Sequence, residues 1–287
     1  MASSLSHQVE VAHDVASLKA RLAAWRRQGE TIALVPTMGA VHAGHIALVH
    51  EARKYARWVV MSIFVNPTQF SPTEDFAAYP RSLDADASVF EAAGGDLLFA
   101  PEVEDMYPSG FATAITVGGP AAAGLEDRFR PAHFAGVATV VAKLLNQCRP
   151  DFAIFGEKDF QQLKVVEQLA RDLDFETQII SAPTVREKDG LALSSRNAYL
   201  SLGERARAPR LYAALCQCAR VIAQDVPIKT ALGRACANLA EAQFSVDYIE
   251  ARHAETLAPV ASRNEGPIRL LAAARLGKTR LIDNIAV

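Results

Sequence analysis

Residues 31–56 constrain the fold more than any other part of the chain. They open with an apolar run, residues 32–35, of the length and type expected for a buried strand. Pro36 is predicted to stop that strand, and after a stretch of small residues an apolar pattern with helical spacing starts at Ile46. A strand, a glycine-containing turn and a helix in this order present backbone N–H groups and the positive end of the helix dipole. Such a turn favours an anion such as phosphate.

Two histidines, His42 and His45, stand three residues apart at the predicted start of this helix, with Gly44 between them. Both imidazoles can point to the same side of the turn and donate hydrogen bonds to phosphate oxygens. Gly44 lets a ligand approach the backbone closely. The alternative is that the rings cap the helix or face solvent, and these residues alone favour neither interpretation. A zinc site is a weaker interpretation, because no nearby cysteine or carboxylate completes a tetrahedral set.

Composition limits the classes of partner. Of the 287 residues, 50% are hydrophobic and 22% are charged, which is ordinary for a soluble globular protein. The formal net charge of -2 gives no reason to expect nucleic acid or an anionic membrane as partner. No apolar run approaches the ~20 residues of a membrane span, and the N-terminus lacks the pattern of a secretory signal. We therefore expect a cytoplasmic protein, with its four cysteines as buried thiols.

Strands and helices alternate along the first two thirds of the chain. Further strands are predicted at residues 58–65, 96–100, 151–155 and 176–181, and helices at 14–28, 82–93, 135–147 and 160–173. This alternation predicts an α/β fold, with a Rossmann-like parallel sheet flanked by helices, in a domain at residues 1–183. Helices at 203–225 and 228–242 and strands at 246–250, 268–274 and 279–283 predict a smaller α+β C-terminal domain, residues 184–287, that acts as a lid.

Polar residues follow two further strands. Asn66 and Gln69 are candidates for binding a hydroxylated substrate at the carboxyl ends of the strands, although the residues alone favour a turn-forming Asn and a solvated Gln. After the strand at 151–155, Lys158 can reach a phosphate as a point charge. Asp159 can accept from ribose hydroxyls or hold the water shell of a metal. The alternative for Lys158 and Asp159 is a surface pair.

Three other places are ambiguous. Residues 194–197, SSRN, offer two hydroxyls and a guanidinium that suit a polyphosphate, or they cap a helix. Arg130 and His133 suit an anionic ligand or carboxylates across a subunit interface. Asp84 and Asp86 suit a metal's water shell, but they are predicted to be carboxylates on a helix surface.

Four motifs carry a resemblance that covers the whole chain. They are PTMGAVHAGH at 36–45, FVNPTQF at 64–70, FGEKDFQQL at 155–163 and PTVREKDGLALSSRN at 183–197. In this order and spacing they resemble the pantothenate synthetases (pantoate–β-alanine ligases) of the HxGH nucleotidylyltransferase superfamily. The resemblance implies ATP-dependent condensation of pantoate with β-alanine through a pantoyl-adenylate, giving pantothenate, AMP and pyrophosphate. It also implies Mg²⁺ with the ATP, a homodimer, and a nucleotide- and pantoate-binding role for the domain at residues 1–183.

The resemblance also implies roles for individual residues, but it identifies no metal ligands. It implies ATP contacts from Pro36, Thr37, Met38, Gly39, His42, His45, Gly156, Glu157, Lys158, Asp159, Val185, Leu193, Ser194, Ser195 and Arg196. It implies substrate contacts from Met38, Asn66, Gln69, Arg130, His133 and Gln162. It implies catalytic roles for His42, His45, Lys158, Ser194, Ser195 and Arg196.

Two residues depart from the family pattern. Leu193 stands where Met is usual, a change of similar volume that we expect to be tolerated. Asp127 stands where Gly is common, which leaves the conformation of its loop open.

Two rival functions also stay open. One is an HxGH nucleotidylyltransferase that keeps AMP on its product, and the other is a non-catalytic nucleotide-binding protein. The Gln69 and Gln162 pair argues against the first, and the complete set of charged donors argues against the second.

Overall fold

The computed structural model describes residues 9–70, 76, 79 and 82–287. The chain divides into two compact units. The first comprises Met1–Val117, Arg130–Phe155 and Val165–Ala182, and the second comprises Gly118–Phe129, Gly156–Lys164 and Pro183–Val287. The domain division at 183/184 stays a prediction.

The first unit contains the predicted parallel sheet. In the described residues it has six strands in the order β1-β4-β3-β2-β5-β6. The strands are β1 Glu10–Ala12, β2 Ile32–Thr37, β3 Trp58–Ile63, β4 Leu97–Phe99, β5 Phe152–Gly156 and β6 Gln178–Ala182. The helices between these strands along the chain are α1 Val15–Arg26, α2 Ala43–Ala52, α3 Leu83–Ala92, α4 Val103–Met106, α5 Glu126–Phe129, α6 His133–Cys148 and α7 Phe160–Asp172. Of these, α5 belongs to the second unit and α7 begins in it. The predicted α/β class is confirmed.

Strand β2 runs through Pro36 to Thr37, so the prediction that Pro36 ends it is wrong. The backbone oxygen of Ile32 points to the β5 side and that of Thr37 points to the β3 side. The backbone N–H and C=O groups of the even-numbered residues in β2 therefore point toward β5. The register between β2 and β5 ends at Leu34. Pro36 has no N–H to donate, but none is needed on this side because the pairing with β5 has already ended.

The strand order reverses between β2 and β5. From β2 the sheet grows through β3 and β4 on one side, and through β5 and β6 on the other. In open α/β sheets, ligands bind outside the carboxyl ends of the strands at such a reversal. The turn between β2 and α2 ends at His42, and His45 lies in the first turn of α2, so the sheet topology favours this region as part of a binding site.

The second unit contains an antiparallel sheet whose three strands, in the described residues, have the order β7-β8-β9. The strands are β7 Ser245–His253, β8 Ile268–Leu276 and β9 Thr279–Ala286, and the helices are α8 Leu202–Arg207, α9 Arg210–Ala223 and α10 Ile228–Glu241. The prediction of one helix at 203–225 is wrong, because α8 ends before Pro209, whose ring nitrogen has no hydrogen to donate inside a helix.

The structure also locates the cysteines and the apolar helices. Cys148 and Cys218 are buried free thiols as predicted, whereas Cys216 and Cys236 are only half-buried. None of the helices in the described ranges combines the length and the apolar character that crossing a bilayer requires.

Candidate active site

The turn after β2 is held by its own side chains. Thr37 Oγ1 donates to the backbone oxygen of Ser62 at 2.7 Å and accepts from the N–H of Gly39 at 3.2 Å. Gly39 has a φ of +87°, which favours glycine. Ala40, at φ +52°, also adopts the left-handed region. The predicted ATP-contact residues 36–39 therefore comprise the end of β2 and the start of a tightly constrained turn.

His42 and His45 lie side by side at the start of α2. Their ring centroids are 4.1 Å apart and the rings are inclined by 34°. His42 Nδ1 accepts from the N–H of Gly44 at 3.1 Å, and His45 Nδ1 accepts from the N–H of His42 at 3.2 Å. The histidines thus cap the helix, which is one of the two interpretations of the sequence. Because Nδ1 accepts in both rings, a neutral imidazole carries its proton on Nε2. Capping is therefore compatible with phosphate binding through Nε2–H.

Asp86 holds the turn from α3, and the prediction that it is a surface carboxylate is wrong. Its side chain is buried, whereas Asp84 on the same helix is exposed. The carboxylate of Asp86 accepts from the backbone N–H of Ala40 at 3.0 Å and of Val41 at 2.7 Å. These contacts give Asp86 a structural role. The sequence signal that could have located it is an acidic residue in a helix that follows the turn, which is too common to be specific.

Gln69 and Asn66 are connected and buried, so the interpretation of Gln69 as a solvated side chain is wrong. Asn66 Nδ2 donates to Gln69 Oε1 at 3.1 Å, and Gln69 Nε2 contacts Met38 Sδ at 2.8 Å. Asn66 Oδ1 accepts from the hydroxyl of Tyr107 at 2.8 Å. Burial raises the pKa of the Tyr107 phenol, which keeps it a donor. Asn66 therefore orients the amide of Gln69.

Arg130 and His133 both contact the backbone oxygen of Gln69. His133 Nδ1 lies 3.0 Å from the oxygen of Gln69, and His133 Nε2 lies 3.1 Å from Arg130 Nη1. A carbonyl oxygen only accepts, so Nδ1 carries the proton and Nε2 accepts from the guanidinium. Helix α6 comes close here, since a Cβ on Gly136 would stand 2.4 Å from the oxygen of Thr68. The first unit thus brings Met38, Asn66, Gln69, Arg130 and His133 into one connected group.

In the second unit, residues 157–159 form a 3₁₀ turn that leads into α7. Lys158 Nζ lies 3.7 Å from Asp159 Oδ2, the predicted alternative of a surface pair. At this distance and exposure the pair contributes little to stability, so it does not commit Lys158 to a structural role. Glu157, by contrast, forms an ion pair with Arg269 at 2.9 Å.

Gln161, which sequence reasoning did not single out, is the more buried of the two adjacent glutamines, Gln161 and Gln162. Its Oε1 accepts from the N–H of Glu126, and its Nε2 donates to Asp127 Oδ1, both at 2.8 Å. Asp127 also accepts from the N–H groups of Gly124 and Leu125, each at 2.9 Å. The departure to Asp127 therefore adds acceptors that order its own loop. Gln162, the predicted substrate contact, is half-buried.

Residues 185–193 form a short hairpin before the predicted phosphate loop. Arg186 and Ala192 form an antiparallel bridge, and the N–H of Leu193 donates to the oxygen of Val185 at 3.0 Å. Ser194 Oγ accepts from the N–H of Arg196 at 3.3 Å and caps the 3₁₀ turn Ser195–Tyr199. Capping by Ser194 is thus observed, in agreement with that alternative. The roles of Ser194, Ser195 and Arg196 toward a ligand stay predictions.

Comparisons with known proteins agree with the motifs. The family described as Pantoate-beta-alanine ligase matches residues 10–286. The chain is 58% identical over 283 residues to pantothenate synthetase 2 of Bradyrhizobium diazoefficiens, covering 99% of this chain and 100% of that protein. It resembles the crystal structure of pantothenate synthetase from Thermus thermophilus with a TM-score of 0.91 and 47% identity, covering 96% and 99% of the two chains.

A third protein was solved with ligands. Pantoate-beta-alanine ligase from Francisella tularensis, complexed with beta-gamma ATP and beta-alanine, matches with a TM-score of 0.80 and 33% identity, covering 97% of each chain. The family match spans nearly the whole chain, and the relatives agree with it in identity and coverage. The prediction made from the four motifs is confirmed, and the chain belongs to the pantoate-beta-alanine ligase family.

Proposed function

We propose that this chain condenses pantoate with β-alanine in an ATP-dependent reaction that proceeds through a pantoyl-adenylate and releases AMP and pyrophosphate. Family membership already makes it a ligase of pantothenate formation. The observation that carries the finer proposal is the arrangement of His42 and His45. Two Nδ1-capped imidazoles at a helix N-terminus offer Nε2–H donors where an anion is favoured.

ATP and β-alanine as substrates are supported by the Francisella tularensis relative, which was solved with beta-gamma ATP and beta-alanine. In the first step, a carboxylate oxygen of pantoate attacks the α-phosphorus of ATP, and the bond from that phosphorus to the β-phosphate oxygen breaks. The carboxylate is already ionised near neutral pH, so this step needs no general base. It needs in-line placement and neutralisation of the triphosphate charge.

We assign the neutralising donors to three segments of the chain. They are His42 and His45, Lys158, and the residues Ser194, Ser195 and Arg196. Val185, Leu193 and residues 156–159 are assigned as further ATP contacts. Donors that strengthen as charge moves onto the leaving pyrophosphate lower the barrier rather than only the binding energy.

Pantoate is assigned to Gln69 and Gln162, with Met38 as a further contact. The amide of Gln69 is oriented by Asn66, and its backbone oxygen is held by Arg130 and His133. A fixed amide can recognise a hydroxyl because its donor and acceptor do not exchange places. The connections in the first unit support Arg130 and His133 as residues that position Gln69.

Mg²⁺ fits this site as an ion that accompanies ATP. In the described part of the chain, no three His, Cys, Asp or Glu residues form a group that could hold a metal. Mg²⁺ commonly binds to substrate phosphates, with only one or two carboxylates and several waters. Asp159, which is half exposed beside Lys158, suits a contact with such a water shell. The ion would supply charge neutralisation on the phosphates.

In the second step, the nitrogen of β-alanine attacks the acyl carbon of the adenylate. The bond from that carbon to the phosphate oxygen breaks, AMP leaves, and the nitrogen loses a proton. The adenylate is a reactive mixed anhydride, so exclusion of water protects it.

Isotope transfer tests the adenylate directly. The purified protein is given Mg-ATP and pantoate labelled with ¹⁸O in the carboxylate, with and without β-alanine. We expect pyrophosphate exchange into ATP with pantoate alone, and one ¹⁸O in AMP when β-alanine is added. Label in inorganic phosphate, with ADP, would show an acyl phosphate instead. AMP retained on the product would favour the rival nucleotidylyltransferase, and absence of turnover with bound ATP would favour the non-catalytic protein.

The proposal includes a homodimer and a cytoplasmic location, as the family resemblance implies. Sedimentation equilibrium of the purified protein measures the first, and fractionation of the source cells measures the second. A monomer over the working concentration range would contradict the dimer.

A further inference from the structure

Two consecutive residues of strand β9, Asp283 and Asn284, are buried polar residues at 4% and 3% exposure. Successive side chains of a strand point to opposite faces of the sheet. Asp283 shares a face with Leu281, which belongs to the hydrophobic core of the second unit. Asn284 shares the opposite face with Arg280. The two side chains therefore hold different segments on the two faces of one strand.

Asn284 holds the turn that carries Lys158. Its Nδ2 donates to the backbone oxygens of Glu157 and Lys158, both at 2.9 Å. Its Oδ1 accepts from Arg269 Nε at 2.6 Å, and Arg269 also pairs with Glu157. Both amide hydrogens and the amide oxygen are thus used, which fixes the orientation of the amide. The backbone of Lys158 is anchored while its side chain remains partly exposed.

Asp283 holds the hairpin that leads into Ser194. Its two oxygens accept from Arg186 Nη1 at 2.7 Å and Nη2 at 2.8 Å, a bidentate pair. Arg186 Nη1 also donates to the oxygen of Gly190 at 3.1 Å, and the guanidinium lies 3.8 Å from the ring centre of Tyr212. Burial lowers the pKa of Arg186, but the hydrogen bond and charge of Asp283 outweigh it and raise the pKa. The base of the hairpin is therefore held by a persistent charge pair.

We propose that Asp283 and Asn284 are positioning residues that set the Lys158 turn and the Ser194–Arg196 loop relative to each other for adenylation. This inference rests on the proposed function, because it needs both segments to contact ATP. Neither residue touches the substrate in this scheme. Strand β9 contacts both of the segments that are proposed to bind phosphate, and so it fixes their relative positions. A displacement of a catalytic group by about 1 Å can lower the rate about 10²-fold.

The test uses near-isosteric variants of the full chain. Asn284→Asp replaces the donating NH₂ by an oxygen that repels the two backbone oxygens, and Asp283→Asn removes the charge that pairs with Arg186. We expect pyrophosphate exchange to fall about 10²-fold in Asn284→Asp and to fall measurably in Asp283→Asn. Asn264→Asp, on the exposed turn Arg263–Glu265, is the matched control and should keep the wild-type rate.

Combination with catalytic variants separates positioning from a general effect on the fold. If Asn284 acts through Lys158, adding Asn284→Asp to Lys158→Ala should lower the exchange rate little further. If Asp283 acts through the hairpin, adding Asp283→Asn to Arg196→Ala should likewise lower the rate little further. Asp283→Asn should keep its full effect when it is combined with Lys158→Ala. Equal fold-losses in all backgrounds would overturn the proposal, since neighbours that act together show coupling and independent sites do not.

Two controls keep the outcome interpretable. Circular dichroism and thermal unfolding report whether each variant folds, and Asn284→Ser, which keeps one donor without a charge, replaces Asn284→Asp if that variant does not fold. A wild-type protein that forms no AMP and pyrophosphate overturns the proposed function and this inference together. A wild-type protein that forms them, beside an Asn284→Asp variant of equal rate, overturns the positioning role alone.

Discussion

Asp86 and Gly39 are in such close contact that a Cβ on residue 39 would stand 3.0 Å from Asp86 Oδ2. The same Cβ would stand 3.1 Å from Ile63 Cγ2. Both the limited space and the positive φ therefore favour glycine at residue 39. The buried carboxylate of Asp86 fixes the conformation of the turn, and the absence of a side chain at Gly39 leaves room for that carboxylate.

Asp86→Asn should destabilise the turn. The amide would point an N–H group at one of the two backbone N–H groups, of Ala40 and Val41, that the carboxylate now accepts. We expect a loss of about 1.5–3 kcal/mol in the free energy of unfolding, the range for hydrogen bonds to charged groups, with slower adenylation. Urea unfolding measures the stability. Asp84→Asn, exposed on the same helix, should change it by less than about 0.5 kcal/mol; equal losses would contradict the assignment.

His42→Asn separates capping from catalysis. Asn is a favoured N-cap residue and can still accept from the N–H of Gly44, but it lacks the Nε2–H donor. We expect normal thermal stability with adenylation slowed by roughly 10²–10³-fold, the size of losing one strong transition-state donor.

The companion variant His42→Ala should show the same rate loss and, in addition, lose about 1 kcal/mol of stability through the missing cap. If His42→Asn kept the wild-type rate of pyrophosphate exchange, His42 would be a helix cap and nothing more.

Lys158→Ala should slow adenylation by roughly 10²–10³-fold while the fold stays intact. Its ion pair with Asp159 spans 3.7 Å at a partly exposed site, so its loss costs little stability. Single-turnover formation of AMP measures the rate. Lys229→Ala, on the exposed face of α10, is the control. A near-normal rate in Lys158→Ala would refute its catalytic role.

Cys148 should weaken the fold at high pH. Burial raises the pKa of its thiol from 9.0 to about 12. The folded-state pKa lies above the unfolded value. The stability contributed by the buried neutral thiol is therefore complete below pH 9 and is lost as pH rises from 9 to 12. Each pKa unit corresponds to about 1.4 kcal/mol, so the loss is about 4 kcal/mol. Urea unfolding of wild type and Cys148→Ala across this range should show a steeper decline in wild type.

Thiol labelling provides an independent check on the same residue. In native protein at pH 8, a thiol reagent should modify Cys216 and Cys236 before Cys148 and Cys218, because the latter two are buried. Burial also raises the pKa of Cys218, to about 11. Rapid labelling of Cys148 without unfolding would contradict its burial.

The order of strands and helices follows from local patterns, which explains why sequence reasoning located most of them. Apolar runs predicted β2, β3 and β5, and helical spacing predicted α1 and α6. The two proline errors have different causes. Pro36 stays in a strand because the ladder on its N–H side has already ended, which depends on strand β5. Pro209 divides a helix although the apolar pattern continues past it, and this break is a local effect of the proline ring.

The candidate site shows the same division. The motifs around His42, Lys158 and Ser194 are contiguous, so they are recognisable in one dimension. Asp86 and Asn284 act on residues 45 or more positions away along the chain, through backbone atoms that are the same in every residue. A sequence carries no local mark of such a contact, and for this reason these two residues were missed or misassigned.

The sequence by itself determined the family, the α/β class and the identity of the residues with phosphate-binding chemistry, because these depend on residue type and short-range spacing. Only the tertiary structure decided that Asp86 is buried against the turn at Ala40 and Val41, and that Asp283 and Asn284 hold two segments from one strand. Hydrogen bonds between distant residues require angles and distances that only the folded backbone sets.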